Sequence, residues 1–158
     1  MRIAVTGHMN ISEATTTLIA TAIREHLEHV GAGVVGISCI ARGADSVFAE
    51  TVLNVGGDLE VILPSTDYRD AKVKPDHAPL FDALLAQATA VRTMPFPTAN
   101  REAYEAANNA MLDSADELVA VWDGQVAQGR GGTAEVVADA RSRGLPVTVI
   151  WPAGAARE

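Results

Sequence analysis

The hydrophobic pattern of this chain switches repeatedly between two periods. Short apolar, β-rich runs occur at Ile3–Thr6, Val34–Cys39, Leu59–Leu63, Ala90–Met94, Glu117–Trp122 and Pro146–Trp151. Stretches with apolar residues at helical spacing lie between them. The first carries Leu18, Ile19, Ala22, Ile23, Leu27 and Val30 and is stopped by Gly31 and Gly33. Asn10 followed by Glu13 predicts a capping box at its start. Further helices are expected over Ala44–Leu53 and Leu80–Ala88, from a Thr98 cap through Ala115, and over Ala134–Arg143. Strands alternating with helices predict a parallel sheet covered on both faces. The expected fold is a three-layer α/β/α Rossmann-like domain with a mostly parallel sheet of about six strands. One domain is expected over residues 1–152, with 153–158 as a loose tail. Ser65–Pro79, reading STDYRDAKVKPDHAP, breaks the pattern and is expected to be a polar loop long enough to act as a lid.

Composition narrows the setting. At 158 residues the chain can bury its own core, and with 48% hydrophobic but only 4% aromatic residues that core is aliphatic. The net charge of −8 argues against nucleic acid as the main partner, although a local basic patch remains compatible with it. One cysteine, Cys39, permits no disulfide within the chain. No apolar run approaches membrane-spanning length, and a soluble cytoplasmic protein is expected.

Ligands of such sheets sit beyond the carboxyl ends of the strands. The sequence places Gly7 and His8 after the first strand and Arg42, Gly43 and Asp45 after the second. Asp123, Gly124, Gly129, Arg130, Gly131 and Gly132 follow the fifth, with Thr133 opening a helix. Glycines let backbone approach an anion, and the free N–H groups of a helix start point at it. All of these residues except Asp123 are therefore candidates for holding a nucleotide or its phosphate. The spacing Gly124-QVAQ-Gly129-Arg130-Gly131 matches a Walker A loop, but Arg130 replaces the lysine and Gly131 the magnesium-binding hydroxyl. Gly7-His8-Met9 lacks a dinucleotide fingerprint. Neither an NTPase nor a dehydrogenase is expected, and no cofactor or metal is required.

Asp123 could act as general acid or base, or bond the amides of its own loop. Asp45 could hold a ribose hydroxyl or simply stabilise the first turn of a helix. His26 and His29 are spaced to share a metal, but interleaved Glu25 and Glu28 mark a solvated face. Tyr104, Asn108, Met111 and Ala115 share one helical face, on which Asn108 is the polar exception.

The stretch SCIARGAD (Ser38–Asp45) is similar to the S-G-x-A-x-G-x-D turn of DNA-processing protein A. GRGGTAE resembles the P-G-G-x-G-T-x-x-E motif of the LOG phosphoribohydrolases. Both belong to the Rossmann-like superfamily often called SLOG, and the resemblance runs from Ile3 to Trp151. It implies a nucleotide or nucleotide derivative bound at the glycine-rich edge. Symmetric homodimers are expected by analogy with the fold class. The chain departs from the LOG motif where its catalytic glutamate would stand, at Val136. Glu135 lies one residue early, a rotation of about 100° around the helix. Binding is thus the leading expectation. The alternative is an N-glycosidase acting on nucleotides, with Glu135 or Asp123 activating water.

Overall fold

In a computed structural model, residues 1–126 and 132–158 are described. The elements follow in the order β1 (Arg2–Gly7), α1 (Glu13–Val30), β2 (Val35–Ser38), α2 (Ala44–Asn54), β3 (Asp58–Leu63), α3 (Tyr68–Lys72), α4 (Ala78–Gln87), β4 (Ala90–Thr93), α5 (Arg101–Ser114), β5 (Glu117–Val121), α6 (Thr133–Ser142) and β6 (Val147–Ile150). Each expected strand is present. They form one six-stranded sheet in the order β4-β3-β2-β1-β5-β6, and every neighbouring pair is parallel.

Alternation along the strands builds two cores. Ile3 and Val5 of β1 with Val119 and Val121 of β5 meet Ile19, Ile23 and Leu27 of α1 and Val47, Phe48 and Val52 of α2. Ala4, Ile37, Leu118 and Ala120 face the other way, onto Ala107 and Met111 of α5 and Val136, Val137 and Ala140 of α6. A third cluster joins Leu59 and Val61 of β3 to Phe81 and Leu84 of α4. Both faces are covered, as a parallel sheet requires.

The chain winds outward from β1 to β4, then returns to lay β5 on the other side of β1. The loops after β1 and β5 therefore diverge and leave a crevice at the carboxyl edge.

Local signals are corrected at three places. Ser12, not Asn10, caps α1, its hydroxyl accepting from the Thr15 amide at 3.1 Å. Asn100, not Thr98, caps α5 through the Ala103 amide at 2.9 Å. In each case the helix starts later than expected, and only an oxygen just ahead of the first turn reaches its free amides. The Ser65–Pro79 segment is not an open loop either. It contains α3, whose buried Tyr68 packs on Phe81 and Tyr104. Residues 153–158 are tied across the carboxyl edge: the Ala156 amide donates to Thr15 Oγ1 at 2.8 Å and the Glu158 amide to the Asn10 carbonyl at 2.8 Å.

Candidate functional site

The β1–α1 and β2–α2 loops meet at the crevice, and their glycines are there for each other. A Cβ on Gly7 would lie 2.5 Å from Ala44 Cβ and 2.8 Å from Val121 Cβ. Gly43 has φ +85°, and its Cβ would lie 2.6 Å from the His8 carbonyl oxygen. The Ala44 amide, first in α2, donates to that same carbonyl at 3.1 Å. A side chain at Gly7 or Gly43 would thus meet protein, and both glycines are required for the close approach of these loops.

Ile40 adopts φ +48°, rare for a β-branched residue. It is held there by bonds on both sides: its amide donates to Ser38 Oγ at 2.9 Å, and its carbonyl is bonded by His77 Nε2 at 3.0 Å. Asp45 sits half-buried in the first turn of α2. Burial pushes its carboxyl up to about 7 against the opposing pull of the Ala41 amide. Arg42 is half exposed, with Asp76 3.8 Å away.

His8 and Asp123 do come together, but they serve one another. Burial first, then the positive charge of Arg157, holds the buried His8 below its usual value against the pull of Asp123. The ring is accordingly assigned neutral, with Nε2 accepting from the Asp123 amide at 3.2 Å. Trp151 packs edge-on at 5.6 Å between ring centroids. Asp123 Oδ1 accepts from the Gln125 amide at 2.9 Å, the loop-holding alternative of its two sequence readings. Burial pushes this carboxyl up, but the Gln125 amide and the positive charge of Arg157 work against it, and it lies below the ordinary range.

The start of α6 is different. Gly132 caps it with φ +119° and no side-chain bond to the helix amides. Thr133 is buried in the first turn. Gly124 has φ +82°, and a Cβ there would meet none of the described residues, so its glycine serves backbone conformation. Gly129, Arg130 and Gly131 lie outside the described residues.

Beside this helix start opens a groove of about 720 Å³ between α5 and α6. Arg101, Tyr104 and Asn108 line it from α5, and Gly132, Glu135 and Val136 from α6. Glu135 is exposed and lines the groove. Arg101 spends its guanidinium partly on Glu105 at 2.9 Å. Arg101, Glu105 and Asn109, spaced by four, were visible in the sequence as a polar stripe but carried no motif. Among the described residues, no group of His, Cys, Asp and Glu is placed to hold a metal. His26 is not merely solvated, since its Nε2 meets Glu117 Oε1 at 2.5 Å. No described helix is long and apolar enough to cross a membrane.

Neither a family nor a curated protein matches this chain, but solved structures do. DNA processing protein A from Streptococcus pneumoniae superposes with a TM-score of 0.69 at 16% identity, covering 97% of this chain and 51% of that one. The chain therefore spans about half the length of the pneumococcal protein. The Helicobacter pylori protein of the same name, solved to explain its single-stranded DNA binding mode, gives 0.70 at 17% identity over 99% of this chain and 68% of that one. The molybdenum cofactor carrier protein of Chlamydomonas reinhardtii gives 0.57 at 18% identity, covering 94% and 74%. The likeness shows the fold, the Rossmann-like α/β/α layering expected from the alternation of strands and helices.

These neighbours also correct one expectation. Net charge weighed against nucleic acid, yet a protein with this fold binds single-stranded DNA. Overall charge does not exclude that partner, because contact depends on the charge of one surface, not of the whole molecule.

Proposed function

We propose that this protein binds a nucleotide or nucleotide derivative at the carboxyl edge of its sheet. The observation that carries this reading is the 720 Å³ groove opening beside the start of α6, where among the described residues no side chain caps the helix, at the switch in strand order. The amides at Gly132 and Thr133 would receive a phosphate through hydrogen bonds and the helix dipole. The ring of Tyr104, 39% exposed, offers a face to a base, and the Asn108 amide can both donate to and accept from its edge. Glu135 is positioned to accept from ribose hydroxyls.

Native mass spectrometry of the purified protein, followed by calorimetry with AMP and ADP, tests the reading. Bound nucleotide that survives gentle desalting, and an affinity reduced about tenfold by Asn108→Ala, are expected from the loss of a ligand hydrogen bond. No heat with any nucleotide would remove it. Assaying the same mixtures for released base tests the N-glycosidase alternative. Its carboxylate would be Glu135, since Asp123 is engaged by its own loop. Turnover abolished by Glu135→Gln would establish it.

A second reading, single-stranded nucleic acid at this edge, is favoured by the likeness to the Helicobacter pylori protein. A gel shift with an oligothymidylate that weakens steeply with salt would support it.

A further inference from the structure

A second cavity, of about 250 Å³, opens at the same edge on the other side of α3. Arg42 lines it from the β2–α2 loop, Lys72 closes α3, and Lys74 and His77 follow on the way to α4. Lys72 and Lys74 are the only lysines in the chain. In a protein of net charge −8, both stand at one cavity with an arginine beside them.

These cations are poorly neutralised. Most described arginines make close carboxylate pairs, such as Arg2 with Glu60 and Arg69 with Asp82, each at 2.7 Å. Among the described residues neither lysine forms an ion pair, and Arg42 reaches only Asp76, at 3.8 Å. Glu158 is the one carboxylate side chain on the lining.

The back of the cavity is polar and rigid. His77 is buried, with its ring fixed through Nε2 to the Ile40 carbonyl at 3.0 Å. Tyr68 is only 6% exposed and lines the cavity, yet its hydroxyl bonds no described residue. No described side-chain oxygen shut off from solvent lacks a partner, so this hydroxyl reaches the open volume and can donate to an incoming oxyanion. About 10–15 Å³ admits one water, so the volume suffices for a phosphate group with part of its hydration shell.

The geometry points to a phosphate-ester site in this cavity, held by Arg42, Lys72, Lys74 and the Tyr68 hydroxyl. It is separate from the α5/α6 groove. Tyr68 and Tyr104, 6.3 Å apart between centroids, stand between the two, one lining each. The ester can come from a free nucleotide or from a strand end, because the recognised chemistry is the same. Two ammonium groups on flexible stems and one guanidinium suit a tetrahedral dianion.

Having only two lysines makes the test direct. Reductive methylation with ¹³C-formaldehyde labels Lys72, Lys74 and the terminal amine, and Lys72→Arg and Lys74→Arg assign the signals. Titration with inorganic phosphate is expected to shift both lysine resonances saturably, whereas chloride at equal ionic strength does not. AMP, 5′-phosphorylated oligothymidylate and the same strand without its phosphate then distinguish the sources. The double variant Lys72→Glu/Lys74→Glu, with unchanged circular dichroism, is expected to bind phosphate about tenfold or more weakly, as loss of charge-assisted bonds implies. Linear shifts equal to those with chloride, or unchanged affinity in the double variant, would overturn the assignment. Asn108→Ala, which tests the groove, is expected to leave the phosphate-induced shifts intact, so the two sites succeed or fail separately.

Discussion

The two edges of this sheet are both rich in polar side chains, and they use them in opposite ways. At the amino edge, Arg2 forms a two-pronged pair with Glu60 at 2.7 and 2.9 Å and donates to the Ser114 carbonyl at 2.8 Å. Nearby, Glu117 of β5 receives His26 at 2.5 Å and the Thr148 hydroxyl at 2.9 Å. Those groups are spent on holding strands and helices in place. At the carboxyl edge, Lys72, Lys74, Tyr68 and Glu135 line open volume instead. The contrast also divides the carboxyl edge itself, because His8, Asp123 and Gly43 are as fully engaged as anything at the amino edge. A polar residue at a strand end is informative about function only when its bonding capacity is unspent.

Substitutions can break this contrast, beginning where the closed contacts are tightest. Gly43→Ala combines a left-handed backbone with a clash against the His8 carbonyl. It is expected to cost about 3 kcal/mol or more in urea unfolding. A loss below about 1 kcal/mol would mean the two loops are not closed on each other. Glu117→Ala removes the buried partner of His26 and Thr148 and is expected to cost about 2–3 kcal/mol, with nucleotide affinity unchanged.

Asp45 sets a smaller, pH-dependent effect. Its carboxyl is raised from 3.8 to about 7 in the fold. Below pH 4 both the folded and unfolded forms carry the proton, and the group contributes nothing to pH dependence. As pH rises from 4 towards 7, the unfolded chain releases the proton while the fold retains it, so stability falls and then levels off. Unfolding of Asp45→Asn at a series of pH values is expected to show a slope flatter by roughly 1–2 kcal/mol, discounted for the partial exposure of the side chain. An unchanged slope would show that the crevice wets this carboxyl fully. Smallest of all, Glu135→Gln should change stability by less than about 0.5 kcal/mol, as an exposed site does. A larger loss would place Glu135 with the closed residues.

The strands were legible because each declares itself through a short apolar run. Even the exposed edge strand β4 was readable, as a β-rich run bounded by Thr89 and Pro95. Helix starts were less so: Asn10 and Ser12 are both good caps, and only the chain's path over the end of β1 selects Ser12. The α5/α6 groove was half legible. Tyr104 and Asn108 share a face by spacing, but their meeting with Glu135 requires α5 and α6 to pack side by side on one face of the sheet. The cavity at Lys72 and Lys74 was hidden by the total charge, which averages over surfaces that no ligand meets together.

By itself, then, the sequence determined the alternation of strands and helices, and with it a layered parallel fold. Those signals are local, written in periods of two and 3.6 residues. The tertiary structure alone decided which glycines pack against protein and which leave space, and which polar groups remain available. His8 and Asp123 lie 115 residues apart in sequence, yet satisfy each other across the crevice. Hydrogen-bond saturation and steric filling depend on neighbours in space, and no local pattern carries them.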